Sequence, residues 1–131
     1  MGYRSEVVLA IDAKIVPALM TAFAKCEETQ KLCTQHVDNL DTDYESEGNW
    51  LMRWDHIKWY DSYPEIAMLE RFIEGLDCDN LEEFGLKDLT LSASDGYSEL
   101  YKFVRIGEDM DDSDQRGYGF ENIYISRSIS F

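Results

Sequence analysis

The chain has 131 residues, of which 27 are acidic and 12 are basic, and its formal net charge is −15 with a pI near 4.3. This charge argues against direct binding to nucleic acid or to an anionic membrane surface, because both repel a negatively charged protein. The length suits one domain over 1–131, and a hydrophobic share of 44% is enough for one folded core.

The first part of the chain predicts a strand, a long helix and a polar connection. Residues 3–11 alternate and then become apolar, which is typical of a strand that enters the core. Apolar residues recur at helical spacing over 13–36, with Lys, Glu and Gln opposite them, and this stripe predicts one long amphipathic helix. The acidic segment 38–48 predicts a loop or an edge strand.

The segment 50–60 predicts a strand and contains all three tryptophans. Large apolar side chains fall on both of its faces, so we expect it to lie inside the sheet with both faces at least partly covered. Strict alternation places Ile57 on the face of Leu51, opposite Met52 and Trp54.

A second helix is predicted over 62–76. Ser62 and Glu65 fit a capping box around Pro64, and Gly75 is the expected stop. Four segments follow: a short strand over 86–91, a strand over 97–107, the acidic tip of a hairpin over 108–119 and a final alternating strand over 120–131.

This order of elements predicts an α+β protein. We expect a mainly antiparallel sheet with two helices packed on one face, in a ferredoxin-like arrangement. Cys26, Cys33 and Cys78 lack the spacing of a disulfide framework, and the N-terminus lacks the features of a signal peptide. We therefore expect a cytoplasmic protein with reduced thiols.

Three acidic clusters, over 38–47, 77–83 and 108–114, lie in predicted connections. Duplex DNA carries about one negative charge per 1.7 Å of its axis, and an array of carboxylates can approximate that spacing. The alternative is a solvated acidic surface with no target. If the surface has a target, the residues expected to contact it are Asp41, Asp43, Glu45, Glu47, Asp109, Asp111, Asp112 and Asp114.

The sequence contains only weak indications of a metal site or of a catalytic residue. Cys26, Cys33 and His36 share one predicted helix and could hold zinc, but buried cysteines are common in cores and no CxxC knuckle is present. His56 could act as a general base, yet no recognised motif positions a nucleophile beside it. The sequence thus predicts no catalytic residue, no cofactor and no dedicated metal site, and we expect the chain not to be an enzyme.

Three strings, MGYRSEV at the N-terminus, IKWYDSYPEI at 57–66 and YKFVRIGEDMDD at 101–112, resemble a group of small uncharacterised proteins found mostly in bacteriophages and prophage regions. The resemblance implies a phage accessory protein that acts in the cytoplasm of the bacterial host. It implies no activity and no catalytic residue.

Charge and resemblance together predict a non-enzymatic protein that binds and inhibits a host nucleic-acid-binding defence protein, in the manner of anti-restriction or anti-CRISPR proteins. The expected partner is a host protein with a basic surface. One alternative is a structural or assembly adaptor that binds a phage or host protein through an aromatic surface, and another is a small metal-binding protein.

Overall fold

A five-stranded antiparallel sheet carries three helices on one of its faces. The computed structural model describes residues 3–78, 80–85, 97–109, 112–120, 122–125 and 129–130. The strands are β1 Ser5–Ile11, β2 Asn39–Asp41, β3 Trp50–Ile57, β4 Tyr101–Gly107, β5 Ser113–Arg116, β6 Tyr124–Ile125 and β7 Ile129–Ser130. The helices are α1 Val16–Lys25, α2 Glu27–Thr34 and α3 Pro64–Asp77, and short 3₁₀ turns occupy Ala13–Ile15, Glu82–Phe84 and Tyr97–Glu99.

The strand order in the main sheet is β2-β3-β1-β4-β5, and every neighbouring pair is antiparallel. β1 is central, and its Leu9 lies opposite Met52 on one side and Phe103 on the other. β6 and β7 pair with each other in a separate two-stranded sheet. The predicted α+β class is confirmed. The ferredoxin-like description stays a prediction, although β3 does lie between β1 and β2 as in a split βαβ unit.

Both faces of the sheet are covered, as the apolar residues on both faces of 50–60 predict. On one face Val7, Leu9 and Ile11 pack with all three helices in the main core. On the other face Val8, Ala10, Leu51 and Val104 pack with Ile123 in a smaller core. The helices therefore occupy one face, and the segment that contains Ile123 covers part of the other.

The long helix predicted over 13–36 is two helices. Cys26 separates them with an extended backbone, φ −144° and ψ 104°. Its N–H still donates to the Ala22 carbonyl of α1, while its own carbonyl accepts from Thr29 at 3.1 Å in the first turn of α2. The break reorients α2, so that Thr29 is buried and its hydroxyl donates to the Glu65 carbonyl of α3. The described residues thus form three α-helices, where the sequence predicts two.

The partner of β4 also differs from the prediction. The chain turns directly after Gly107, whose N–H donates to the Asp112 carbonyl at 2.7 Å. The predicted hairpin tip 108–119 therefore contains β5, and the segment 120–131 does not pair with β4 within the part of the chain that the structure describes. The strand expected over 86–91 lies outside the described residues.

A β-bulge changes the face on which Ile57 lies. Ser5 pairs with Ile57 whereas Val7 pairs with Trp54, so the register between β1 and β3 shifts by one residue. An extra residue reverses the alternation of side chains beyond it. Ile57 consequently packs against the main core on the helix face, and not on the face of Leu51 as strict alternation predicts. None of the described helices is long and apolar enough to span a bilayer.

Candidate functional site

The first predicted acidic cluster lies in the β2–β3 loop, residues 41–48. Asp41, Asp43, Glu45 and Glu47 are all exposed. Asp41 Oδ1 accepts the Asp43 N–H at 2.9 Å, and Asp43 Oδ1 accepts the Gly48 N–H at 3.0 Å. Such bonds from a side chain to a nearby backbone N–H fix a turn. Within the described residues, none of the four carboxylates forms a salt bridge.

The third predicted cluster follows β4, and two of its five carboxylates, those of Asp112 and Asp114, are paired with arginines. Arg105 donates to both carboxylate oxygens of Asp112, at 2.8 and 3.2 Å, and the Tyr3 hydroxyl donates to Asp112 Oδ2 at 2.6 Å. Asp114 lies 3.2 Å from Arg116. Asp109 is exposed, and Asp111 lies outside the described residues. Sequence reasoning missed these pairings.

The two clusters lie far apart. The β2–β3 loop is at the end of the sheet where Ile11 pairs with Trp50, whereas the β4–β5 turn is at the end where Ser5 pairs with Gly107. They also lie at opposite edges, because β2 and β5 are the two outermost strands. A seven-residue strand is roughly 20 Å long and four strand spacings are also roughly 20 Å. The expected contact residues that the structure describes therefore do not form one surface.

Asp112 and Asp114 line a cavity of about 740 Å³ on the helix face, which we call the polar cleft. Its other charged lining residues are Asp61, Glu70, Arg105 and Arg116. Glu70 of α3 accepts from Arg116 at 2.9 Å and from the Trp59 indole N–H at 2.7 Å. The Arg116 guanidinium also lies 4.4 Å from the centroid of the Phe103 ring, a cation–π contact.

These contacts give the polar cleft a structural role. They tie the edge strand β5 to α3 and to the connection that contains Trp59. Four carboxylates outnumber two guanidinium groups in the lining, so the cleft retains negative charge. The pairing with Arg105, supported by the Tyr3 hydroxyl, lowers the pKa of Asp112 from 3.8 to about 2.

Cys26, Cys33 and His36, considered in the sequence as a possible zinc site but favoured as core residues, lie in different surroundings. Cys33 is fully buried in the main core, and this burial raises the pKa of its thiol. Cys26 occupies the break between α1 and α2, so the helical spacing expected between Cys26, Cys33 and His36 does not hold. The described residues contain no group of three or more His, Cys, Asp or Glu that could hold a metal ion.

Both histidines are exposed and line a second cavity, of about 420 Å³, which we call the histidine groove. His36 follows α2, and His56 lies near the end of β3. The sequence gives no signal for their proximity, because it depends on the packing of α2 beside the end of β3. The bulge that shifts Ile57 lies at this end of β3.

Comparisons with protein-family models, with curated proteins and with solved structures find no match for this chain.

Proposed function

We propose that this chain is a non-enzymatic binding protein that occupies a basic, nucleic-acid-binding surface of a partner protein. The observation that carries the proposal is the β2–β3 loop, which presents Asp41, Asp43, Glu45 and Glu47 to solvent without a salt bridge to any described residue. A protein surface that binds phosphates is positively charged, so carboxylates held in an array are suitable ligands for it.

Hydrogen bonds constrain the conformation of the loop. Asp41 and Asp43 each accept a backbone N–H within the loop, and Glu45 Oε1 accepts from the Asn122 amide at 2.6 Å. A surface that is already ordered loses less conformational entropy on binding. The total charge of −15 adds long-range attraction, which accelerates association with a basic protein.

The sequence resemblance implies a phage protein, and a phage origin indicates which kind of partner to expect. The partner would then be a host defence protein that acts on nucleic acid, and occupation of its basic surface would inhibit it. This assignment comes from the resemblance and the charge, whereas the contacts of the loop support only the binding of a basic partner.

The aromatic adaptor alternative has less support. Trp54 is buried, and Trp50 and Trp59 pack against the main core. Among the described residues, Tyr118 is the only large aromatic side chain in the exposed class, at 78% exposure. A single ring offers little area for an apolar interface.

A loop variant tests the proposal while it preserves the hydrogen bonds of the loop. The variant combines Asp41→Asn, Asp43→Asn, Glu45→Gln and Glu47→Gln, which retains an acceptor oxygen at each position and changes the net charge from −15 to about −11. Wild-type protein is used to capture partners from bacterial lysate, and captured proteins are then tested individually. We expect a nucleic-acid-binding protein that duplex DNA displaces and that binds the loop variant at least about tenfold more weakly.

The matched control removes four charges elsewhere. Glu28, Glu74, Glu82 and Glu99 are exposed and form no salt bridge with the described residues, and their substitution by Gln gives the same net charge as the loop variant. We expect the control to bind almost as the wild type does. Equal binding by the loop variant and the wild type, or equal weakening of both variants, would contradict a role for the loop.

A further inference from the structure

The histidine groove gathers positively charged and titratable groups in a protein that is otherwise acidic. Its rim contains Arg4, Lys58, His36 and His56. The side chains of Lys58, His36 and His56 form no hydrogen bond or salt bridge with any described residue, and Arg4 Nη1 donates only to the His56 carbonyl, at 3.2 Å. By contrast, Arg105 and Arg116 of the polar cleft are paired with carboxylates.

Two acidic residues also line the groove. Asp38 Oδ2 already accepts the Asp55 N–H at 2.7 Å, and Glu65 lies in the first turn of α3. Arg4 and Lys58 balance these two carboxylates. The lining is therefore neutral when both histidines are neutral, and it becomes positive when either is protonated.

Apolar side chains line part of the groove, among its polar ones. Leu32, Trp54 and Ile66 close its base, and the half-buried Ile57 and Tyr63 present apolar surface to it. The indole N–H of Trp54 donates to the Leu32 carbonyl at 3.1 Å, so this ring adds no free polar group to the base. A cavity of about 420 Å³ lies within the usual range for small-molecule sites, which are apolar with a few polar groups that orient the ligand.

We propose that the histidine groove binds a small organic anion. Its apolar ring would lie against Ile57 and Tyr63, and its carboxylate, sulfonate or phosphate group would contact Lys58, Arg4 and the histidines. Charge-assisted hydrogen bonds from these side chains to an anion are stronger than neutral ones. The site is separate from the β2–β3 loop, so it neither requires nor supports the binding of a basic protein there.

The histidines themselves provide the readout. The chain has 2 histidines, and both line the groove, so their two Cε1 proton resonances report on it without interference from other imidazoles. Phenyl phosphate serves as the probe, titrated to millimolar concentration at fixed pH and ionic strength. We expect both resonances to shift along one saturating curve. Inorganic phosphate has the charge but no ring, and phenol has the ring but no charge. We expect each of them to bind much more weakly than phenyl phosphate.

Two variants complete the test. Lys58→Ala should weaken phenyl phosphate binding by about fivefold, since it removes one charge from a partly exposed pair. Lys14→Ala is the control, because Lys14 likewise forms no salt bridge with the described residues but does not line the groove, and it should leave the affinity unchanged. Unmoved histidine resonances, equal effects of phosphate and phenyl phosphate, or undiminished binding by Lys58→Ala would each overturn the proposal.

Discussion

Asp112 illustrates how the fold changes the role of a charged residue. Its carboxylate belongs to an acidic segment, yet Arg105 and the Tyr3 hydroxyl surround it at the mouth of the polar cleft. Both partners favour the ionised form, and they lower its pKa from 3.8 to about 2. Asp112 is therefore better explained as a structural residue than as a contact for a basic partner, and the same holds for Asp114 beside Arg116.

The lowered pKa of Asp112 predicts a specific acid sensitivity. Because the pKa is lower in the folded chain, ionisation of Asp112 contributes its full stabilisation above pH 3.8, and this contribution is lost as the pH falls from there through about 2. Asp112→Asn should lower the free energy of unfolding at neutral pH and reduce its dependence on pH in that window. Urea unfolding followed by circular dichroism at a series of pH values measures both effects.

Asp109→Asn is the control for this prediction. Asp109 is exposed and its carboxylate forms no salt bridge among the described residues, so its substitution should retain the wild-type pH dependence in the same window. If Asp112→Asn retains that dependence as well, the ion pair with Arg105 does not contribute to stability.

Helix α3 shows how packing overrides a local helix signal. Gly75 is the predicted stop, but α3 continues through it to Asp77. The Gly75 carbonyl accepts from the Asn80 N–H at 2.9 Å, and a Cβ at this position would lie 2.7 Å from the Asn80 carbonyl oxygen and 2.9 Å from Leu81 Cδ2. The glycine is therefore needed because the following chain folds back closely against the helix, and not because the helix ends there.

Gly75→Ala should consequently destabilise the protein. The same change in an exposed helix normally stabilises by about 1 kcal/mol, but here the added methyl group forces the Asn80 backbone to move, and overpacking of this kind costs roughly 1–3 kcal/mol. Glu74→Ala, at the preceding exposed position, should change the free energy of unfolding by less than about 0.5 kcal/mol. A stabilised Gly75→Ala variant in urea unfolding would show that the chain after α3 is not held as described.

The excess of negative charge causes repulsion between acidic side chains throughout the protein. A chain of 131 residues has a radius of gyration of about 14 Å, whereas electrostatic screening extends over about 30 Å at 0.01 M salt and about 8 Å at 0.15 M. At low salt all the carboxylates therefore repel one another across the molecule. The salt bridges of Arg105 and Arg116 act over short distances and in partly buried sites, so salt weakens them less.

We therefore expect the melting temperature to rise when salt increases from about 0.01 to 0.15 M. The loop variant with a net charge of about −11 should show a smaller rise, because it has less repulsion to screen. Thermal unfolding in sodium chloride series measures the difference. A melting temperature that falls with salt would mean that the attractive ion pairs outweigh the repulsion.

Local patterns were sufficient to predict several elements. Alternation and apolar runs identified β1 and β3, helical spacing identified α3, and polar composition identified the β2–β3 loop as a connection. The break at Cys26 and the position of β5 could not be read in the same way, because both depend on contacts with residues elsewhere. The Thr29 hydroxyl donates to the Glu65 carbonyl of α3, and the Gly107 N–H donates to the Asp112 carbonyl across the turn.

The sequence by itself determined the α+β class, the net charge and the segments in which the acidic residues lie, because these follow from composition and from periodicities within short stretches. Only the tertiary structure decided which acidic side chains are paired with a basic one and which remain free to bind a partner. Arg105 and Arg116 come from strands that fold beside Asp112, Asp114 and Glu70, whereas no basic side chain among the described residues is paired with the acids of the β2–β3 loop. The histidine groove also depends on the tertiary structure, because His36 and His56 are 20 positions apart in the chain and line one cavity only when the end of α2 lies near the end of β3.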